Sequence, residues 1–281
     1  GKTMTALSII GLLPYKGKAT GSIYFDGREI LTSSKKEYRD IRGKDIAMIF
    51  QDPMTSLHLM LTIETQLTEH LRHHRKVSKG SARQSALELL DTVKIPDPAS
   101  ALKAHAGQFS GGMRQRIAIA MALACDPKLL IADEPTTALD VTVQAGILKL
   151  LRQLRSERDL SIMIITHDLG VLSSLTDRIM IMYAGSEAES GTAPDLLLHP
   201  RHPYTQGLIS ALPGVARQGK VLTTIGGSPP ELGNFPTGCA FHERCSYAQT
   251  SCSLEVPSVL QVSDNHRMFC PINPLAEKSV K

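Results

Sequence analysis

The sequence contains no tryptophan, and only 4% of its 281 residues are aromatic. It lacks a long apolar run: the longest, Ile117–Cys125, has nine residues, whereas a membrane-spanning helix needs roughly 20. A span across the bilayer is therefore not expected. A large excess of one charge is also missing. Lys and Arg number 31 against 27 Asp and Glu, leaving a net charge of +4, too little to mark nucleic acid as a partner. No charged-then-apolar leader is visible at Gly1-Lys2-Thr3, so a cytoplasmic setting is expected. Cysteine is sparse, and four of the five fall in the last 43 residues. That clustering suggests a local metal or cluster site rather than a disulfide framework.

What is present is a folded α/β pattern. Hydrophobic residues make up 42%, enough for a sizeable core. Four short apolar runs, Ile46–Phe50, Leu129–Ala132, Ser161–Thr166 and Arg178–Tyr183, read as parallel strands buried on both faces. Helical periodicity lies between them, over Ser81–Val93 and Gln144–Leu154, and the alternation argues for an α/β domain. Gly21–Ile30 reads as antiparallel, turning at Asp26-Gly27. The stretch from Gln51 to Lys128 contains nothing strand-like and is far longer than a crossover needs. It is expected to be an inserted helical subdomain. After Gly185 prolines recur and both periods fade, which predicts a looser C-terminal extension.

Three of the apolar runs stop at polar residues suited to chemistry: Gln51, Asp133-Glu134 and His167. Ligands of open α/β sheets bind beyond the carboxyl ends of the strands. Gly1-Lys2-Thr3 before an apolar helix matches the tail of the phosphate-binding loop G-x-x-x-x-G-K-[ST]. There the Lys reaches the phosphates and the Thr hydroxyl binds Mg²⁺. In the segment Phe109-Ser110-Gly111-Gly112-Met113-Arg114-Gln115-Arg116, Ser110 is a plausible N-cap. The two glycines let backbone N–H groups approach an anion.

Together these residues resemble the ATP-binding subunit of an ABC transporter. Phe109–Arg116 resembles the signature motif, Leu129–Pro135 the Walker B strand and Ala138-Leu139-Asp140 the D-loop; Gln51 matches the Q-loop and His167 the switch histidine. Within the family, Gln51–Leu57, His202-Pro203-Tyr204-Thr205 and the cysteine segment are similar to the dipeptide/oligopeptide importer branch. The resemblance implies an α/β fold with a P-loop NTPase-like ABC core over residues 1–190. A helical subdomain would occupy about 58–126, and a cysteine-containing extension 191–281. It implies ATP and Mg²⁺ as ligands, and these roles follow. Gly1, Lys2 and Thr3 would hold phosphates, with Thr3, Gln51 and Asp133 at Mg²⁺. Glu134 would be the base for water attack, Gln51 the relay and His167 the γ-phosphate contact. Ser110, Gly111 and Gly112 would bind the ATP of a second ABC ATPase subunit, identical or paralogous, with Asp140 at that interface. Two membrane-spanning permease subunits and, indirectly, an extracytoplasmic solute-binding protein complete the implied assembly, on the cytoplasmic face of the membrane.

The sequence departs from the family at its start, where most of the Walker A loop is absent. It thus reads as an N-terminally truncated or degenerate copy, and a catalytically impaired partner subunit is the alternative function. A soluble nucleic-acid-linked ABC ATPase is a weaker rival. Ser186-Glu187-Ala188-Glu189 is more acidic than the apolar strand the resemblance implies there. Cys239, Cys245, Cys252 and Cys270 have the spacing C-x5-C-x6-C-x17-C. Four thiolates suit a [4Fe–4S] cluster, and the segment resembles the cluster-binding extension of several peptide-importer ATPases. Zinc and unliganded thiols remain alternatives. Cys125 reads as a small buried hydrophobe. His70, His73 and His74 share a helical face, but Arg72, Arg75 and Lys76 oppose a cation there, so a solvated basic surface is expected.

Overall fold

A computed structural model describes residues 1–52, 56–137, 139–212, 225–231, 233–270 and 272–274. Pro53, Met54 and Thr55 of the importer-like segment and Ala138 of the D-loop lie outside the described residues. The chain forms two compact units, residues 3–167 and residues 1–2 with 168–281.

In the unit of residues 3–167, helix α1 (Lys2–Ile9) is followed by a short hairpin of β1 (Tyr24–Phe25) and β2 (Arg28–Glu29). Its turn residues Asp26 and Gly27 both have positive φ, 52° and 74°, the geometry a two-residue hairpin requires. Helix α2 (Lys35–Ile41) begins with a capping box between Ser34 and Glu37. Strands β3 (Ile46–Ile49), β4 (Leu129–Asp133) and β5 (Ser161–Ile165) form a parallel sheet in that order. Ile46 pairs with Leu129, and Ile131 with Met163. Ile46, Ile131 and Ile165 pack with Ala6 and Ile10 from the α1 segment and with Ile30 and Ile41.

Between β3 and β4 lie helices α3 (Ile63–Arg75), α4 (Lys79–Thr92), α5 (Pro98–Lys103) and α6 (Gly111–Leu123). The side chains of Thr62, Ser78, Asp97 and Ser110 cap their N-termini, satisfying donors that helix starts leave open. His70 on α3 is half-buried, with Nε2 3.3 Å from the Gly43 carbonyl, and burial pushes its pKa down. The solvated surface expected for the three histidines therefore does not hold for this one. Helix α7 (Val141–Glu157) is the crossover from β4 to β5.

In the other unit, helix α8 (Leu169–Leu175) precedes β6 (Arg178–Tyr183). This run, expected to be a further parallel strand, pairs antiparallel with β7 (Ser186–Thr192). Ala184 and Gly185, with φ of 47° and 86°, make the turn. In β6 the side chains of Ile179, Ile181 and Tyr183 are buried while Arg178 and Met180 are exposed. Methionines on the outer face concealed this alternation and made the run look continuous.

The segment after Gly185 is also more ordered than expected. Helices α9 (Ala193–Leu198), α10 (Pro203–Ser210) and α11 (Thr250–Leu254) follow β7, then β8 (Leu260–Ser263) and β9 (His266–Met268). The sheet order is β6-β7-β9-β8. Tyr183, Tyr204 and Phe241 meet edge-on or tilted within its core, with ring centroids 4.7 to 5.3 Å apart. Among the described residues no helix is long and apolar enough to cross a membrane.

Candidate functional site

Parallel strands present their carboxyl ends along one edge, and the three polar strand endings meet there. Gln51 follows β3, Asp133 ends β4 and His167 follows β5. Asp133 is buried. The next residue, Glu134, has φ of 48°, a left-handed conformation that costs a non-glycine residue of order 1 kcal/mol. Its backbone N–H still donates to the Ile165 carbonyl at 2.8 Å, so the sheet ladder extends through it.

The Glu134 side chain is 17% exposed, and Gln51, Thr137 and His167 are among its partners. Gln51 Nε2 donates to Oε2 at 3.0 Å, and Thr137 Oγ1 donates to the same oxygen at 2.9 Å. His167 Nδ1 lies 3.2 Å from Oε1. With the carboxylate ionised, Nδ1 carries the proton and donates. The ring is 70% exposed and can turn toward a ligand. Sequence reasoning found Gln51, Glu134 and His167 but missed Thr137. A hydroxyl three residues after a strand-ending acid, in a turn set by Pro135, was the available signal.

The other expected residues occupy two places. Gly1, Lys2 and Thr3 stand at the exposed start of α1. Ser110 begins α6, its Oγ accepting from the Met113 N–H at 3.3 Å, with Gly111 and Gly112 in the first turn. A Cβ on Gly111 would lie 3.5 Å from Leu139, and one on Gly112 2.5 Å from Cγ1 of Val143. Asp140 caps α7, Oδ1 accepting from the Val143 N–H at 2.9 Å. The glycine pair and the Leu139–Val143 segment are thus direct neighbours.

Cys239 and Cys245 are half-buried, Cys252 and Cys270 buried, and all four are free thiols. Burial raises the pKa of Cys239, Cys245 and Cys270, and neighbouring thiols of the same set add to the rise. The four are therefore gathered in one region. Among the described residues, however, no group of three or more His, Cys, Asp or Glu is arranged to hold a metal ion.

A family model described as ABC transporter matches residues 1–137, and one described as oligopeptide/dipeptide transporter, C-terminal region, matches residues 188–252. The dipeptide transport ATP-binding protein DppD of Bacillus subtilis (strain 168) is 50% identical over 272 residues, 96% of this chain and 81% of that protein. This chain belongs to the ABC transporter ATPase family. The oligopeptide transport ATP-binding protein OppD of Salmonella typhimurium is 48% identical to this ABC ATPase over 277 residues, 99% of this chain and 82% of that one. A dimeric ATP-binding cassette solved in a post-hydrolysis state with ADP and Pi superposes with a TM-score of 0.59 at 29% identity, covering 68% of this chain and 80% of its own. ATP and Mg²⁺ are the ligands of the family. The ABC ATPase carries hard oxygen donors in Thr3 and Asp133 and an exposed ammonium in Lys2, a set whose chemistry suits Mg-ATP.

Proposed function

We propose that this ABC ATPase is the ATP-hydrolysing subunit that powers import of dipeptides or oligopeptides. The observation that carries the ATPase chemistry is the convergence of Gln51, Glu134 and His167. The solute class rests on the two named relatives and on the match over residues 188–252.

Glu134 is the general base. It takes a proton from water while the water oxygen attacks the γ-phosphorus and the bond to ADP breaks. Gln51 and His167 already lie within hydrogen-bond distance of this carboxylate. They pass from it to the attacking water and the γ-phosphate as nucleotide enters. Gly1, Lys2 and Thr3 bind phosphates. Thr3, Asp133 and Gln51 hold Mg²⁺, which neutralises phosphate charge. Ser110, Gly111 and Gly112 bind the nucleotide of a second ATPase subunit, with Asp140 at the shared interface. Phosphoryl transfer depends mainly on positioning and charge stabilisation, and these groups supply both.

The subunit works at the cytoplasmic face of the membrane with two permease subunits, fed by an extracytoplasmic binding protein. Residues 1–190 form the ATPase domain, with a helical subdomain at about 58–126, and residues 191–281 form the importer-type extension. Within that extension we propose that Cys239, Cys245, Cys252 and Cys270 bind a [4Fe–4S] cluster. Four soft thiol donors in one region support this, since a bound cation offsets the mutual repulsion of their thiolates.

The test is Mg-ATP turnover and labelled-dipeptide uptake by the assembled transporter in vesicles. Glu134→Gln is expected to lower both at least about 100-fold while nucleotide binding persists. Turnover at the wild-type rate would remove Glu134 as the base. Turnover without peptide uptake would overturn the solute assignment.

A further inference from the structure

We infer that Arg42 is a positioning residue for Mg-ATP binding, holding the far end of α1 so that the start of that helix stays aimed at the phosphates. The inference rests on the reading of Lys2 and Thr3 as the residues that meet phosphate and Mg²⁺.

Along its length α1 is weakly anchored. Of its eight residues only Ala6 is buried, and one methyl group offers little packing to fix the tilt of a helix. Its end is held more firmly. The Leu12 N–H donates to the Leu7 carbonyl at 2.8 Å and the Gly11 N–H to that of Ser8 at 3.2 Å, the paired bonds of a Schellman motif, with Gly11 left-handed at φ 62°. The carbonyls of Ile10 and Gly11 then go to one side chain. Arg42 Nε donates to Ile10 at 2.6 Å and Nη2 to Gly11 at 2.8 Å.

Arg42 is itself fixed. It caps the end of α2, its backbone N–H donating to the Tyr38 carbonyl at 2.9 Å, and its guanidinium lies 5.1 Å from the centre of the Tyr38 ring. A Cβ on Gly11 would meet the same ring at 2.7 Å, so only glycine lets the turn lie against it. The end of α1 is thereby tied to the end of α2 and, through it, to the strand β3 that follows. A forked pair of bonds fixes direction as well as distance, and a cation at a helix C-terminus complements the dipole whose positive end serves the phosphates.

A helix of eight residues is about 12 Å long, so a change of tilt at one end reaches the other. Phosphate and Mg²⁺ are held there in the ground state and the transition state alike. Loss of the clamp therefore raises KM and spares kcat.

Arg42→Met keeps the aliphatic stem without donors or charge; Arg42→Lys keeps the charge without the fork. Both are compared with wild type and with Thr3→Ala in the assembled transporter, measuring kcat and KM for Mg-ATP, with thermal unfolding as the check on folding. Arg42→Met is expected to raise KM about tenfold and Arg42→Lys about threefold, each with kcat within about twofold of wild type. Wild-type KM in Arg42→Met would overturn the inference, even with a lowered unfolding temperature, because the clamp would then serve folding alone. So would a fall in kcat at unchanged KM. Should Arg42→Met fail to fold, Arg42→Lys decides, and wild-type KM there overturns the inference. Wild-type KM and kcat in Thr3→Ala would instead mark the failure of the underlying reading of the start of α1, and the role of Arg42 would fall with it.

Discussion

His202 is buried, and burial pushes its pKa down to about 4 from an ordinary 6.5. The ring is therefore neutral in the folded protein at pH 7. Its Nδ1 accepts from the Tyr204 N–H at 3.0 Å at the start of α10, and its own backbone N–H donates to Glu189 Oε2 at 3.1 Å. In the unfolded chain the ring binds a proton near pH 6.5. The stability this neutral ring contributes is thus full above pH 6.5 and is lost as pH falls toward 4, by about 3 kcal/mol in all. Denaturant unfolding across that range should show the loss. His202→Asn, which keeps a capping acceptor but cannot titrate, should flatten the slope. Glu189 illustrates how residue-scale reading failed. In sequence it is an acid out of place in a strand. In the fold it is fully buried, bonded to His266 Nε2 at 2.7 Å and to the Arg201 and His202 backbone N–H groups. Nothing near Glu189 in sequence announces a histidine 77 positions away.

At the scale of elements, the start of α6 is constrained by α7. Replacing a helical glycine with alanine ordinarily stabilises by about 1 kcal/mol. At Gly112 the new methyl would sit 2.5 Å from Cγ1 of Val143, a β-branched side chain that is stiff in a helix. Overpacking of this kind costs about 1–3 kcal/mol, so the clash should win. Gly112→Ala is expected to lower unfolding free energy by about 1 kcal/mol, and a double-mutant cycle with Val143→Ala should show favourable coupling. The start of α6 was legible because its signal is local: Ser110 bonds a backbone N–H three residues on. The direction of β6 was not, because pairing direction is set by its partner. That partner, β7, buries Ala188, Glu189 and Ser190, a composition without a strand signature.

At the scale of the whole molecule, each unit has its own hydrophobic core, one around Ile46, Ile131 and Ile165 and one around Tyr183, Leu196 and Phe241. The four C-terminal cysteines belong with the second. Protein isolated without oxygen should contain about four iron and four acid-labile sulfide per chain, and Cys245→Ser should lower both. Zinc in their place, or four thiols titrating with no metal, would overturn the cluster. From sequence alone came the α/β class, the family resemblance and the identity of the strand-ending polar residues. An apolar run that stops at Gln51, Asp133 or His167 is written locally, within a few residues. Only the tertiary structure decided that Gln51, Glu134 and His167 converge on one carboxylate, that Thr137 joins them and that Glu189 is buried against His266. Those contacts depend on strand register and backbone conformation, which side chains distant in sequence fix together.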